Sequence, residues 1–318
     1  MARARRPQHR FGIGEWYGNS FVNLSHEERK YFAEIQQNPQ ADVPPCPFLS
    51  TKDNPRPCSK HHKGGVCSLR SYEQAGELVR VNPAGSTLRA TCPNRFEEGG
   101  AVYRWIGEVL LDNPDAVPVG QVPFLERVPT MGGHEVSEGE GVGRIDNVLI
   151  VPDTTPLQWC AVEIQAVYFS GDKMANDFRA IRRAHGDSLP FPAGRRRPDY
   201  RSCGPKRLMP QLQIKVPTLR RWGKKMAVVI DEDFINNMGR MRTVTDLSNA
   251  DVAWFVVRFD EKSGTPRLTR GTVYFTELEA AVLGLIAGKP VTRQVFEERI
   301  VTRLPQFGSN PGQITPDQ

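Results

Sequence analysis

The run from Gly143 to Gly171, which reads GRIDNVLIV, then PDTTPLQ, then WCAVEIQAVYFSG, restricts the fold more than any other stretch of the chain. Two apolar, β-branched segments flank a loop carrying Pro152, Asp153, Thr154, Thr155 and Pro156, which predicts two antiparallel strands joined by a short turn. Both strands should be largely buried. Yet each carries an acid in its middle, Asp146 and Glu163, where charge is costly unless something compensates it. Folding the run symmetrically about Thr154 and Thr155 sets Val151 against Gln158, and counting back brings Asp146 opposite Glu163. Cross-strand neighbours lie about 4.5–5.5 Å apart at Cβ. Two carboxylates that close repel, so either one is protonated or a divalent cation joins them.

Period-two alternation places Gln165 on the same strand face as Glu163. An Asp facing a Glu-x-Gln is an oxygen-rich set suited to a hard cation such as Mg2+, which takes one or two carboxylates plus water and phosphate oxygens. The competing assignment makes both acids strand-edge groups paired with arginines such as Arg144.

Length allows one large domain or two, and a net charge of +6 favours a polyanionic partner, although a solvated basic surface would read the same way. No run of eighteen apolar residues occurs, so no membrane span is expected. The basic start MARARRPQHR lacks a following apolar segment, which argues against a secretory signal and for a cytoplasmic protein.

Ser25 and Glu28 have capping-box spacing and predict a helix to about Gln37; Trp16 and Tyr17 just before it suit core anchoring better than nucleic-acid contact. AVYRWIGEVLLD, from Ala101, reads as an amphipathic helix, followed by a strand from Gln121 to Val128. Glu108 and Glu126 on these elements are candidates for an additional acid near a metal, and suit surface or ion-paired roles better. Thr130 to Gly141, which includes His134, reads as a mobile glycine-rich loop. Met174, Phe178 and Ile181 predict a further helix with a basic side, and Ser188 to Pro205, with Arg195, Arg196 and Arg197 in a row, suits either a groove-reaching loop or a solvated charge run. The basic residues around Trp222, from Lys215 to Lys225, suit a phosphate-facing surface ahead of a buried strand ending at Asp231. Val252 to Phe259 reads as another strand, Thr276 with Glu279 as a second capping box, Thr292 to Leu304 as the last helix, and the tail from Pro305 as disordered.

Between Asn38 and Phe96 the texture turns to Pro, Gly and cysteine, and reads as loop-like. Cys46, Cys58, Cys67 and Cys92 lie there, and four thiolates from separated loops can close a tetrahedral site for zinc or iron; buried thiols without metal are the alternative. His61 and His62 could displace one ligand. Four thiolates leave no open position for water, so such a site would be architectural. Cys160 and Cys203 have no evident role.

An acid on one strand followed by an E-x-K-like triplet on the next resembles the PD-(D/E)-x-K nuclease core, with Gln165 where lysine usually stands. EIQAVYFSG, KVPTLRRWGKKMAVVID (Lys215 to Asp231), EWYG (Glu15 to Gly18) and the four cysteines together resemble the NotI-like type II restriction endonucleases, over roughly Phe11 to Leu304. The resemblance implies a mixed α/β fold with a central sheet flanked by helices: a four-cysteine region over residues 1–98, a nuclease core over 99–304 and a tail over 305–318. It further implies Mg2+-dependent double-strand cleavage of a GC-rich palindrome by a homodimer, with Asp146, Glu163 and Gln165 at the catalytic site, and iron or zinc on Cys46, Cys58, Cys67 and Cys92. Two other functions fit the same residues: a metal-stabilised DNA-binding protein that does not cleave, and a strand-nicking repair nuclease.

Overall fold

The computed structural model describes residues 7–38, 40–59, 64–82, 87–126, 141–262, 264–288 and 291–304. The chain opens with β1 (Gln8–Trp16), β2 (Asn19–Ser20) and α1 (His26–Ile35), followed by β3 (Val66–Ala75), β4 (Leu78–Val81) and β5 (Arg89–Ala90). These strands form an antiparallel sheet in which β3 pairs with β1, β4 and β5. Then come α2 (Ala101–Leu110), β6 (Val117–Val119), β7 (Val122–Glu126), β8 (Gly141–Ile145), β9 (Asn147–Val151) and β10 (Gln158–Ile164). Next are β11 (Phe169–Gly171), α3 (Ala175–Arg183), β12 (Arg196–Pro198), α4 (Tyr200–Cys203) and α5 (Met209–Arg221). The chain continues through β13 (Met226–Asp231), α6 (Glu232–Asn236), β14 (Val252–Asp260), β15 (Arg267–Thr276), α7 (Leu278–Ile286) and α8 (Arg293–Arg303).

A six-stranded mixed sheet in the order β15-β14-β13-β10-β9-β6 is the centre of this α/β fold. β10, β13 and β14 run parallel, and the remaining pairs are antiparallel. A strand covered on both faces needs apolar residues throughout, and β13, MAVVID, is buried along its whole length. On one face Leu212, Val216 and Leu219 of α5 and Leu285 of α7 pack on Ala161, Val228 and Trp254. On the other, Val102, Trp105 and Ile106 of α2 pack on Val162, Val229 and Phe255. Parallel neighbours need a crossover, and α5 lies on the one that joins β10 to β13.

The Ser25 capping box forms as the spacing predicts, and Trp16 and Tyr17 are core residues. Four expectations need correction. The stretch from 38 to 96 is not simply loop, because β3 is a ten-residue strand at the middle of a sheet. α7 is capped at Glu277 without a side-chain bond, because the Thr276 hydroxyl accepts the Trp254 indole N–H at 2.9 Å instead. The basic run expected to face phosphate starts on a helix, Met209–Arg221, and its Lys215 is buried. In the arginine run, Arg196 is buried against Asp177, and only Arg195 and Arg197 are exposed. His61, His62, most of the loop carrying His134, the Glu126 side chain and the tail from Pro305 lie outside the described residues.

Candidate active site

The turn between β9 and β10 is closed by Thr154, whose hydroxyl donates to the Val151 carbonyl at 2.8 Å and accepts the Gln158 N–H at 2.9 Å. This fixes the register. Val151 pairs with Gln158, and the ladder runs through Val148–Ala161 to Asn147–Val162. One step further brings Asp146 to Glu163, and the two carboxyls come within hydrogen-bonding reach of one another. The strand bends at Asp146, between β8 and β9, so this acid is exposed while Glu163 is 7% exposed. Arg144 is directed elsewhere, donating to Gln121 at 2.9 Å.

Glu163 lies on the sheet face covered by α5. There Lys215, itself 3% exposed, donates from Nζ to Glu163 Oε2 at 2.7 Å. Burial pushes the Glu163 carboxyl up to about 7; Lys215 pulls it down and Asp146 pushes it up further. The basic run had suggested a phosphate-facing surface, and its individual residues are otherwise engaged. Lys215 bonds Glu163, Arg220 pairs with Asp251, and Lys224 and Lys225 donate to backbone carbonyls. The overlooked signal was the helical spacing Leu212, Lys215, Val216, Leu219, which puts a lysine on the apolar stripe of a helix.

Gln165 sits just beyond β10, with its amide donating to the Ala166 carbonyl at 2.6 Å rather than to either acid. Glu97, which the sequence did not single out, precedes α2 and faces the Tyr103 hydroxyl; burial raises its carboxyl, and Tyr103 lies in turn near Asp146. Glu108 is exposed and held by Arg270, so it adds no acid here. The cluster is an oxygen-donor pair beside one ammonium. Among the described residues, no group of three or more His, Cys, Asp or Glu side chains is placed to hold a metal ion.

Backbone hydrogen bonds tie segments that carry the four N-terminal cysteines, but among the described residues these thiols are not gathered into a metal-holding group. The Cys46 N–H donates to the Arg56 carbonyl at 2.8 Å beside a Pro45–Pro57 bridge, which brings in the segment before Cys58. The Cys92 N–H donates to the Cys67 carbonyl at 3.2 Å. Burial first, then Glu15 and Cys92, pushes the Cys67 thiol up, with Cys58 adding to the effect. Asn94 reaches the Cys46 sulfur at 3.8 Å. No disulfide is recorded among the cysteines.

A family model matches residues 31–269, a span that contains α2, the hairpin, α5 and β13. The match defines a type II restriction endonuclease, a site-specific deoxyribonuclease that acts on DNA. The family is described as restriction endonuclease NotI, and the chain belongs to it. A search of curated proteins returns no match. Among the described residues, no helix is long and apolar enough to cross a membrane.

Proposed function

We propose that the protein makes Mg2+-dependent double-strand cuts in DNA from a PD-(D/E)-x-K core, built by α2, β6, β9, β10, α5 and β13 in that chain order. The observation that carries this reading is the register that sets Asp146 beside Glu163 at the open end of the hairpin. The donor set fits magnesium: two carboxylates side by side, one buried and one facing solvent, with no soft ligand between them. Bound there, the ion would polarise a phosphodiester and lower the pKa of an attacking water. Glu163 supplies a fixed anchor, because its strand and Lys215 hold it from below. Asp146, at the bend, supplies the ligand that meets substrate. Gln165 carries no charge; released from the Ala166 carbonyl, its amide would orient a water or a phosphate oxygen.

The substrate we assign is a GC-rich palindrome cut by a homodimer, since one site per chain acts on one strand. Arg195 and Arg197, exposed on either side of the buried Arg196, are suited to contact DNA, arginine being able to read guanine bidentately. We assign residues 1–98 to an N-terminal region in which Cys46, Cys58, Cys67 and Cys92 hold a structural iron or zinc, and 99–304 to the nuclease core. The Cys92–Cys67 backbone bond, and the Cys46–Arg56 bond that brings in the segment before Cys58, support this, and metal analysis of purified protein checks it. Folded protein free of both metals would refute it.

Glu163→Ala tests the main reading: Mg2+-dependent cleavage should be lost while DNA binding persists, and cleavage at the original rate would overturn it.

A further inference from the structure

The active-site triplet offers Glu163 and Gln165 but no cation, while a lysine from another element points at the same carboxylate. Lys215 occupies a core position on α5, between Leu212, Val216 and Leu219, which are each at most 1% exposed. A lysine there is costly to bury and is tolerated only with a charged partner. That partner is Glu163 Oε2, at 2.7 Å. An apolar residue would complete the stripe at lower cost, so what the lysine contributes is charge and direction at Glu163. We infer that Lys215 is a positioning residue of the nuclease site, delivering from α5, on the sheet face that carries Glu163, the positive charge that an E-x-K triplet would carry two residues after its glutamate.

This rests on the reading of Glu163 as a metal-holding acid. The Lys215 ammonium, with its side chain 4% exposed, does not itself reach solvent. It fixes the Glu163 carboxylate in one orientation and offsets one of the two negative charges that Asp146 and Glu163 bring together. Because β10 and α5 are packed elements rather than loops, the geometry is set before DNA arrives. Gln165 lies on the other side of Glu163 along the strand, with its amide on the Ala166 carbonyl. The site therefore receives its cation from α5 and leaves the triplet's third position neutral.

The experiment uses full-length protein, single-turnover cleavage of a cognate duplex with saturating Mg2+, DNA binding without metal, and thermal unfolding. Lys215→Met and Lys215→Gln should lower the cleavage rate constant about 10²–10³-fold, as does loss of one preorganised electrostatic group elsewhere. DNA affinity should be unchanged, and Lys215→Arg should recover part of the rate. The decisive variant moves the charge: Gln165→Lys in the Lys215→Gln background should restore much of the cleavage without restoring the melting temperature. A purely structural lysine gives the opposite pattern, with rate per folded molecule intact and no rescue, and either result overturns the inference. If Glu163→Ala is inactive while both Lys215 variants cut at the original rate, only the role of Lys215 fails. If Glu163→Ala still cuts, the reading beneath it fails as well.

Discussion

Glu15 and Glu163 are both buried glutamates on strands, each facing a buried cation, and they are satisfied very differently. Glu15, on β1, takes both of its oxygens to Arg95 Nε, at 3.0 and 2.8 Å, and accepts the Ser68 hydroxyl at 2.8 Å. Arg95 in turn donates to Glu98 and to the Pro266 carbonyl, tying the N-terminal sheet to the loop before β15. Among the described residues Glu163 has one donor, Lys215, and a like charge, Asp146, lies close by. A saturated carboxylate holds layers together and has no capacity left. One with a single cation and a competing acid has lone pairs to offer a further cation.

The largest effect should come from making each glutamate neutral. Glu163→Gln keeps the shape and an acceptor for Lys215 but removes the charge, and cleavage should fall by at least about 10³-fold, roughly 4 kcal/mol of barrier. Its stability, measured by urea unfolding in chelator, should fall less than at the Glu15 pair, because relief of the like-charge contact with Asp146 offsets part of the cost of leaving Lys215 without its anionic partner. Glu163→Gln unfolding as readily as a variant of the Glu15 pair would erase the distinction.

The converse holds at Arg95. Arg95→Met leaves Glu15 without its cation and Glu98 with Arg267 alone, and should destabilise the protein by about 3–5 kcal/mol, as for other buried pairs cut on one side. Cleavage per folded molecule should survive. Loss of cleavage in fully folded Arg95→Met would mean that the structural pair also serves the chemistry.

The two pairs were not equally legible. The hairpin register could be counted from the sequence because it depends on local things: a period of two and a turn whose threonine closes both strands. The Ser25 cap is equally local. β3 could not be read, because Ser68, Arg70, Ser71 and Glu73 are buried along it. Their burial depends on partners far away in sequence, such as Glu15 for Ser68 and Glu261 for Arg70. α5 hid for a related reason: Lys215 interrupts an apolar stripe, and only the position of Glu163 explains it. Thr276 had two uses open to it, a helix cap or a buried indole, and local spacing could not choose between them.

A third buried acid extends the comparison to a carboxylate with little cationic support. Asp231, at the end of β13, accepts the Phe234 N–H at 2.8 Å and caps α6, while its Oδ2 completes no hydrogen bond among the described residues. Burial pushes its carboxyl up to about 7 from an ordinary 3.8, outweighing the pull of the Phe234 amide. The folded state therefore holds a proton that the unfolded state releases between those values, so this group's contribution to stability falls as pH rises through that window. Asp231→Asn keeps the cap and cannot ionise. Its melting temperature should match wild type near the bottom of the window and exceed it above pH 7, by the equivalent of about 4 kcal/mol. A gap that does not widen with pH would show that Asp231 is better compensated than Glu163.

The smallest test asks whether saturation at Glu15 matters bond by bond. Ser68 is fully buried, and its hydroxyl meets Glu15 Oε2, an oxygen that Arg95 also reaches. Ser68→Ala removes one donor while leaving the cation, so Glu15 loses only one hydrogen bond. The cost should be about 1–2 kcal/mol in urea unfolding, with no change in cleavage. Combined with Arg95→Met, the two losses should not add, because both act on one oxygen of one carboxylate. Simple additivity would mean that Ser68 and Arg95 hold Glu15 independently, and that the carboxylate is less fully engaged than its three short bonds suggest.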